Sequence, residues 1–375
     1  MNAQNIANKP KVQKETKNKI RVEFERTPLK ERLKAKFLSF YFLKKVVWYI
    51  FRLILLVGIS FVVLFPFFTK IAGSFMAAED FVDATVRLIP KNFTMETYKQ
   101  IWIENKYMEA FVNTIVLSLS SALLQTFVCC FVAYGLAKFK FKGNGLVFMA
   151  VIFSLVIPHQ ALYASMFYNF RYFDILGIGQ FLNGEGITIF GKTINNAAFS
   201  AIDIIPSSFE LFPDGATGLN LTNTYWPMII LSLGALGFKN GLYIFMLRQF
   251  FKGVPDELEE SAYIDGSGVF HTFFTIILPL SVPMMITVFL FSFSWQWTDN
   301  FYTTMFFTSG SDTILMPDII KSIPKTLDTE TGGQIFEQAI KGTAAIMVIL
   351  PLIIMYLFCQ KFLVQGIERS GLTAD

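Results

Sequence analysis

Residues 252–279 read KGVPDELEESAYIDGSGVFHTFFTIILP, a polar, acidic island between two long apolar stretches. The island reads as a short helix with defined ends. Gly253 stops the helix before it. Pro255 presets the first turn of a new one, and Asp256 and Glu257 suit the positive pole of its N-terminus. Glu259 to Ile264 give about two turns, with Ser261 and Ala262 as the small residues at the point of closest approach. Gly266 can take a positive φ and redirect the chain. Phe270, Phe273, Phe274 and Ile277 then return it to apolar surroundings ahead of Leu278 and Pro279. A short helix with an acidic rim and a small-residue face is shaped for a groove on another protein. Glu259 and Glu260 would pair with basic side chains there, while Ser261, Ala262, Asp265 and Gly266 complete the contact. On these residues alone, an ordinary amphipathic loop helix lying against the membrane is the other reading.

The flanks of this island are membrane. Hydrophobic residues make up 53% of the chain and charged ones 16%, below the roughly 25% of soluble domains. With 43 Phe, a soluble protein of 375 residues would have too many rings to hide. Crossing the hydrocarbon core takes about 20 mostly apolar residues. Six stretches qualify: about 46–69, 111–137, 145–169, 225–251, 277–307 and 342–364. Each must be helical, because lipid cannot satisfy free backbone groups and no alternating barrel pattern is present. The stretch 277–307 carries Pro279 and Pro283, so a kinked or interfacial start is expected. The fold class is therefore an all-α membrane protein with six transmembrane helices and a small extracellular insertion.

Charge sets the orientation. Residues 1–45 hold a dense Lys/Arg set, from Lys9 and Lys11 to Lys44 and Lys45, against four acids. Beside a transmembrane start such a tract marks the cytoplasmic side rather than nucleic acid. It is too long and too charged for a cleavable signal peptide. The connection Lys138-Phe139-Lys140-Phe141-Lys142 is short and purely basic, whereas 170–224 is net acidic and 308–341 slightly so. Both termini, 138–144 and the island at 252–276 are thus expected inside, in a multi-pass protein of the cell membrane. The domain reading is a basic cytoplasmic tail at 1–45 and a transmembrane domain at 46–375. Leu29–Tyr49 mixes basic and apolar residues at helical spacing: an amphipathic helix on the inner leaflet, or a cytoplasmic extension of the first span.

No catalytic constellation is legible. Cys129, Cys130 and Cys359 fall in apolar segments and read as small buried hydrophobes. His159 and His271 are far apart, so no metal, cofactor or catalytic residue is expected, and the chain is not read as an enzyme. The insertion at about 178–217 contains Ile187 to Ile194, which reads as two short strands around a turn. Gly186 to Thr193 is also a literal G-x4-G-K-T phosphate-loop string. Its bulky Ile, Thr, Ile and Phe disfavour a nest of amides, and no helix follows directly, so nucleotide binding is rejected. Inside the spans, Lys239 lies beside Asn240, Gln125 is in the second, and Trp295, Gln296, Trp297, Asp299 and Asn300 cluster in the fifth. Charges in a membrane usually face protein or water. Aromatic rings with Gln, Asn and Asp suit sugars; an interfacial aromatic belt with helix–helix hydrogen bonds is the alternative.

Glu260-Ser261-Ala262, Gly266, Ile276 and Leu278-Pro279 match, position for position, the E-A-A-x3-G-x9-I-x-L-P signature of ABC importer permeases, with Ser261 where alanine is usual. Beyond residue 46, apart from the insertion, the chain resembles the carbohydrate-importer branch and its maltose-type second permease subunit. Ala133-Tyr134-Gly135-Leu136-Ala137-Lys138-Phe139, Asn223-Thr224-Tyr225, Arg248-Gln249-Phe250-Phe251 and Phe362-Leu363-Val364-Gln365-Gly366 carry that likeness. The resemblance implies the MetI-like permease fold. It also implies a heterodimer with a second permease, two ATPase (nucleotide-binding) subunits and an extracellular solute-binding protein, embedded in a lipid bilayer with no nucleic acid. The function it implies is import of an oligosaccharide or related sugar, with an ABC importer for a non-sugar solute as the alternative. In that reading the island is an ATPase-coupling loop.

Overall fold

Apolar runs with no water to bond to must close their own backbone hydrogen bonds, and helices dominate accordingly. The computed structural model describes residues 11–15, 21–25, 40–174, 187–189, 192–194, 220–237, 239–308, 311–327 and 329–371. The chain divides into two units, 1–69 and 70–375.

In the first unit, strands β1 (Lys11–Glu15) and β2 (Arg21–Glu25) pair antiparallel, Val12 opposite Phe24. A hairpin in the basic tail was not expected. Helix α1 (Phe40–Gly73) begins here and runs without a break through the first span. Residues 40–49 therefore extend that span as helix, while the rest of the proposed interfacial helix, 29–39, lies outside the described residues. From Val47 to Phe68 the large apolar side chains of α1 are exposed, which suits lipid rather than water.

The second unit is built around α3 (Tyr107–Lys138), which follows a short α2 (Glu96–Glu104). The next helices are α4 (Asn144–Val156), α5 (Tyr163–Arg171), α6 (Trp226–Leu233) and α7 (Asn240–Gly253). After α8 (Glu257–Ile264) come α9 (Val269–Thr272), a π turn at Phe273–Ile277, and α10 (Leu278–Trp297). The chain ends with α11 (Phe301–Phe306), α12 (Met316–Lys321) and α13 (Thr329–Gly371), the last broken at Gly333. α3 packs against α7 and α10, and α10 against α13. One core joins Cys129, Cys130 and Ala133 of α3 to Tyr243, Leu247 and Phe251 of α7 and to Met284 and Val288 of α10. Trp297, Ile101, Met316 and Ile340 centre a second, and Leu117, Met228, Tyr302 and Phe306 a third.

The spans are less regular than the sequence implied. Among the described residues, four helices are long and apolar enough to cross a membrane: Lys44–Gly73, Tyr107–Lys138, Val269–Trp297 and Thr329–Phe362. Asn144–Val156 with His159–Arg171 makes a fifth if that pair, bent by 94°, counts as one span. The expected span at 225–251 is not one helix. α6 and α7 are separated by 234–239, where Ala235 and Lys239 have φ of 55° and 64°. Broken backbone at membrane depth needs polar partners from the protein. Close to it, Gln125 of α3 ties α6 to α10, donating to Ser232 Oγ at 3.2 Å and accepting from Ser292 Oγ at 2.5 Å. Gly237 permits this approach, since a Cβ there would lie 2.7 Å from Gln125 Nε2. The expected span 277–307 also ends early, at Trp297, because Asp299 starts α11: its carboxylate accepts the Phe301 amide at 3.2 Å and the Thr303 amide at 2.9 Å.

The two strands expected in the insertion are present as β3 (Ile187–Ile189) and β4 (Lys192–Ile194), antiparallel with Thr188 opposite Thr193. Within the string resembling a phosphate loop, Ile187–Ile189 and Lys192–Thr193 thus lie in paired strands, whereas a phosphate loop runs from strand into helix. The remainder of 178–217 lies outside the described residues.

Candidate functional site: an anchored acidic helix

α8 forms where the acidic island predicted it, with Asp256 preceding Glu257 at its start. Its end is a Schellman closure. The Ser267 amide donates to Ala262 O at 2.9 Å and the Gly266 amide to Tyr263 O at 3.0 Å. Gly266 has φ +83°, the left-handed conformation that side chains disfavour. Glu260, Ser261, Asp265 and Gly266 are exposed, and Ile264 is 86% exposed. Ser261, Asp265 and Gly266, with His271 and Thr275, border an open cleft of about 590 Å³ between α8 and the start of the returning helix.

Two residues expected to meet a partner, one from the acidic rim and one from the small-residue face, do not face outward. Ala262 is buried, and so is Glu259, which turns into the protein instead of toward a partner. The reason is helical spacing: residues three apart share a face, and this face docks on the end of α3. There Lys138 Nζ, on a side chain only 8% exposed, lies 3.2 Å from Glu259 Oε2. The same ammonium donates to Asp256 Oδ1 at 2.6 Å and to Val254 O at 2.7 Å, and Tyr134 OH donates to Glu259 Oε1 at 2.5 Å. The hydrogen bond from Lys138, then its charge, hold the Asp256 carboxyl below the usual carboxylate range. That contribution is present at neutral pH and lost as pH falls through the lowered value. Asn144 Nδ2 and Arg248 Nε both donate to Leu136 O, at 3.3 and 3.2 Å, closing a carbonyl that the end of α3 leaves open. Arg248 also lies 3.7 Å over the Phe148 ring.

The fifth-span cluster does not form one surface. Successive helical residues are rotated by about 100°, so Trp295 and Trp297 face nearly opposite ways. Trp295 is half-exposed, with Lys239 Nζ 5.3 Å over its ring, so these two of the expected residues do meet. Trp297 is 1% exposed; it stacks on Phe293 at 5.7 Å, and its Nε1 donates to Val348 O at 2.9 Å. Gln296 is buried, Asp299 is used in starting α11, and Asn300 is exposed beside Thr304.

Residues 125–369 match the family described as binding-protein-dependent transport system inner membrane component. The chain belongs to that family. The inner membrane ABC transporter permease protein YcjP of Escherichia coli (strain K12) is 24% identical, over 83% of this chain and 91% of that relative. The arabinooligosaccharides transport system permease protein AraQ of Halalkalibacterium halodurans is 24% identical over 84% and 92%. The crystal structure of a bacterial ABC transporter involved in import of the acidic polysaccharide alginate has a chain alike in fold. Its TM-score is 0.61 at 18% identity, covering 85% of this chain and 97% of that one.

This transport component is thus a multi-pass membrane protein whose family works with ATPase and substrate-binding components. Sequence reasoning missed Lys138 and Tyr134 as the anchors of α8. Lys138 served as a topological charge and, with Tyr134, as part of a family-like string, and nothing local ties it to acids more than a hundred residues on. Trp297, expected to line the substrate path, is a buried core ring in this structure. Replacing Trp297 by Ala is expected to cost about 3–5 kcal/mol of stability, the range for a core aromatic. Trp297→Phe should recover most of it. Thermal midpoints of the detergent-purified subunit check this; a normal midpoint with uptake lost in Trp297→Ala would return that ring to the substrate path.

Proposed function

We propose that this chain is the membrane permease subunit of an ATP-binding-cassette importer for an oligosaccharide or related sugar. It pairs with a second permease, two ATPase subunits and an extracellular solute-binding protein, with both termini in the cytoplasm. α8 is the coupling helix. Glu260, Ser261, Asp265 and Gly266 meet the ATPase, while Glu259 and Ala262 hold the helix to the bundle. When the ATPases close on ATP, the push on α8 passes through Lys138 into α3 and from there to α7 and α10. The bundle then rocks between inward- and outward-facing states as packed rigid helices do. The substrate path runs by Lys239 and Trp295. The chain itself carries out no covalent chemistry.

The observation that carries this reading is α8 itself, an exposed acidic helix locked to the end of the central helix by a buried ion pair. A free amphipathic loop helix would not need such a lock. The sugar assignment draws on relatives whose names specify sugar transport, including the arabinooligosaccharide permease. The test is to purify the tagged chain from its native membrane and reconstitute it. An ATPase should co-purify, and a sugar-loaded binding protein should stimulate ATP hydrolysis. Purification without any ATPase would end the proposal.

A further inference from the structure

A cavity of about 600 Å³ lies between the bent α4–α5 pair and the break joining α6 to α7. Its size falls within the roughly 300–1,000 Å³ of small-molecule sites. The lining is mixed. Tyr172 and Tyr302 give it ring faces, Asn169 an amide, and Lys239, His159 and Asp174 its acid–base groups. These last are not evenly spread. Lys239, half-buried at the break, lies close enough to His159 for its charge to act on that ring. α5, nine residues or about 14 Å of helix, separates His159 from Asp174. The basic pair and the acid thus sit at opposite ends of α5.

Lys239 is an expensive choice at this place. It interrupts an apolar span, where ionisable side chains are costly and mark substrate paths. It also precedes Asn240 at the start of α7, where the positive pole of the helix disfavours a cation. The Trp295 ring, 5.3 Å below the ammonium, steadies it there. A cation kept against both costs suits an anionic ligand, and the pole of α7 adds to the same hold. An imidazole is mostly neutral at pH 7, so this end carries about one positive charge. One carboxylate matches that charge, whereas a phosphate dianion exceeds it. Toward the other end, Asp174 and Asn169 can take sugar hydroxyls, and the tyrosine rings suit the C–H faces of a pyranose. We propose that the imported sugar is acidic, a uronate-bearing oligosaccharide whose carboxylate meets Lys239 in this cavity. The inference rests on the sugar-import reading above and names its substrate class.

The test uses the reconstituted complex with its binding protein and a panel of trigalacturonate, its uncharged methyl ester, maltose and arabinotriose. The acid and its ester share a shape and differ in charge. The acid is expected to be imported at least about tenfold faster than the ester, the effect of one charge-assisted hydrogen bond. Lys239→Met should erase that preference and Lys239→Arg should keep it. In a Cys359→Ser background, Leu236→Cys puts a thiol on the cavity wall, where Leu236 is 69% exposed. Trigalacturonate should slow maleimide labelling of that thiol about tenfold and the ester should not. Import of maltose or arabinotriose without trigalacturonate overturns the inference and leaves the import reading intact. A preference for the acid that survives Lys239→Met, or import of the acid with no protection of the thiol, also overturns it. If Lys239→Met fails to assemble, the protection result decides alone. A complex that transports none of the four sugars overturns both readings.

Discussion

Replacing Lys138 by Met is expected to destabilise the subunit by about 3–5 kcal/mol, because it strands Glu259 as a buried charge without its counter-ion. Both side chains are only 8% exposed, so water cannot stand in for the lost ammonium. Tyr134 OH still donates to the carboxylate, which limits the damage but does not neutralise it. α8 should then leave the end of α3, and the ATPase should dissociate or hydrolyse ATP without transport. Thermal midpoints and ATPase co-purification read this directly. The double variant Lys138→Met with Glu259→Leu removes both charges and should regain much of the stability. A Lys138→Met subunit with normal midpoint and uptake would mean the pair anchors nothing.

The second large effect is expected at Gly266. Its φ of +83° costs a residue with a side chain about 1–2 kcal/mol, and a Cβ there meets nothing within 4 Å in this chain. Gly266→Ala should therefore fold, assemble and retain most transport. Gly266→Leu carries the same backbone penalty but projects a bulky group into the cleft beside Ser261 and Asp265. It should uncouple hydrolysis from uptake, lowering sugar import at least about tenfold while the subunit stays assembled, as expected when a docking surface is blocked. Equal behaviour of the two variants would mean that the cleft receives no partner.

Much of this was legible in the residues. The acidic helix, its stop at Gly266 and the hairpin at Ile187–Ile194 follow from local chemistry, because caps, turns and β-branched runs act over a few residues. The break in the fourth span was not. Gly234 and Gly237 are weak signals, and the close approach of Gln125, more than a hundred residues earlier, to Gly237 appears only in the fold. Asn223, read only as part of a family-like string, ties the segment before α6 to the end of α11: its Oδ1 accepts the Thr308 backbone N–H at 2.8 Å and its backbone N–H donates to Phe306 O at 2.7 Å. The polar cluster at 295–300 failed as a single surface because neighbours in sequence are not neighbours on a helix.

Composition alone determined that this chain lives in a membrane as helices, since apolar runs of that length cannot face water and lipid leaves their backbone no other partner. The local order of Pro, acids and Gly determined where the exposed helix begins and ends. Only the tertiary structure decided which stripe of that helix turns inward. Two stripes spaced three or four residues apart are equally available in the sequence. Glu259 was chosen over Glu260 by the ammonium of Lys138, a charge whose position depends on how α3 and α7 pack.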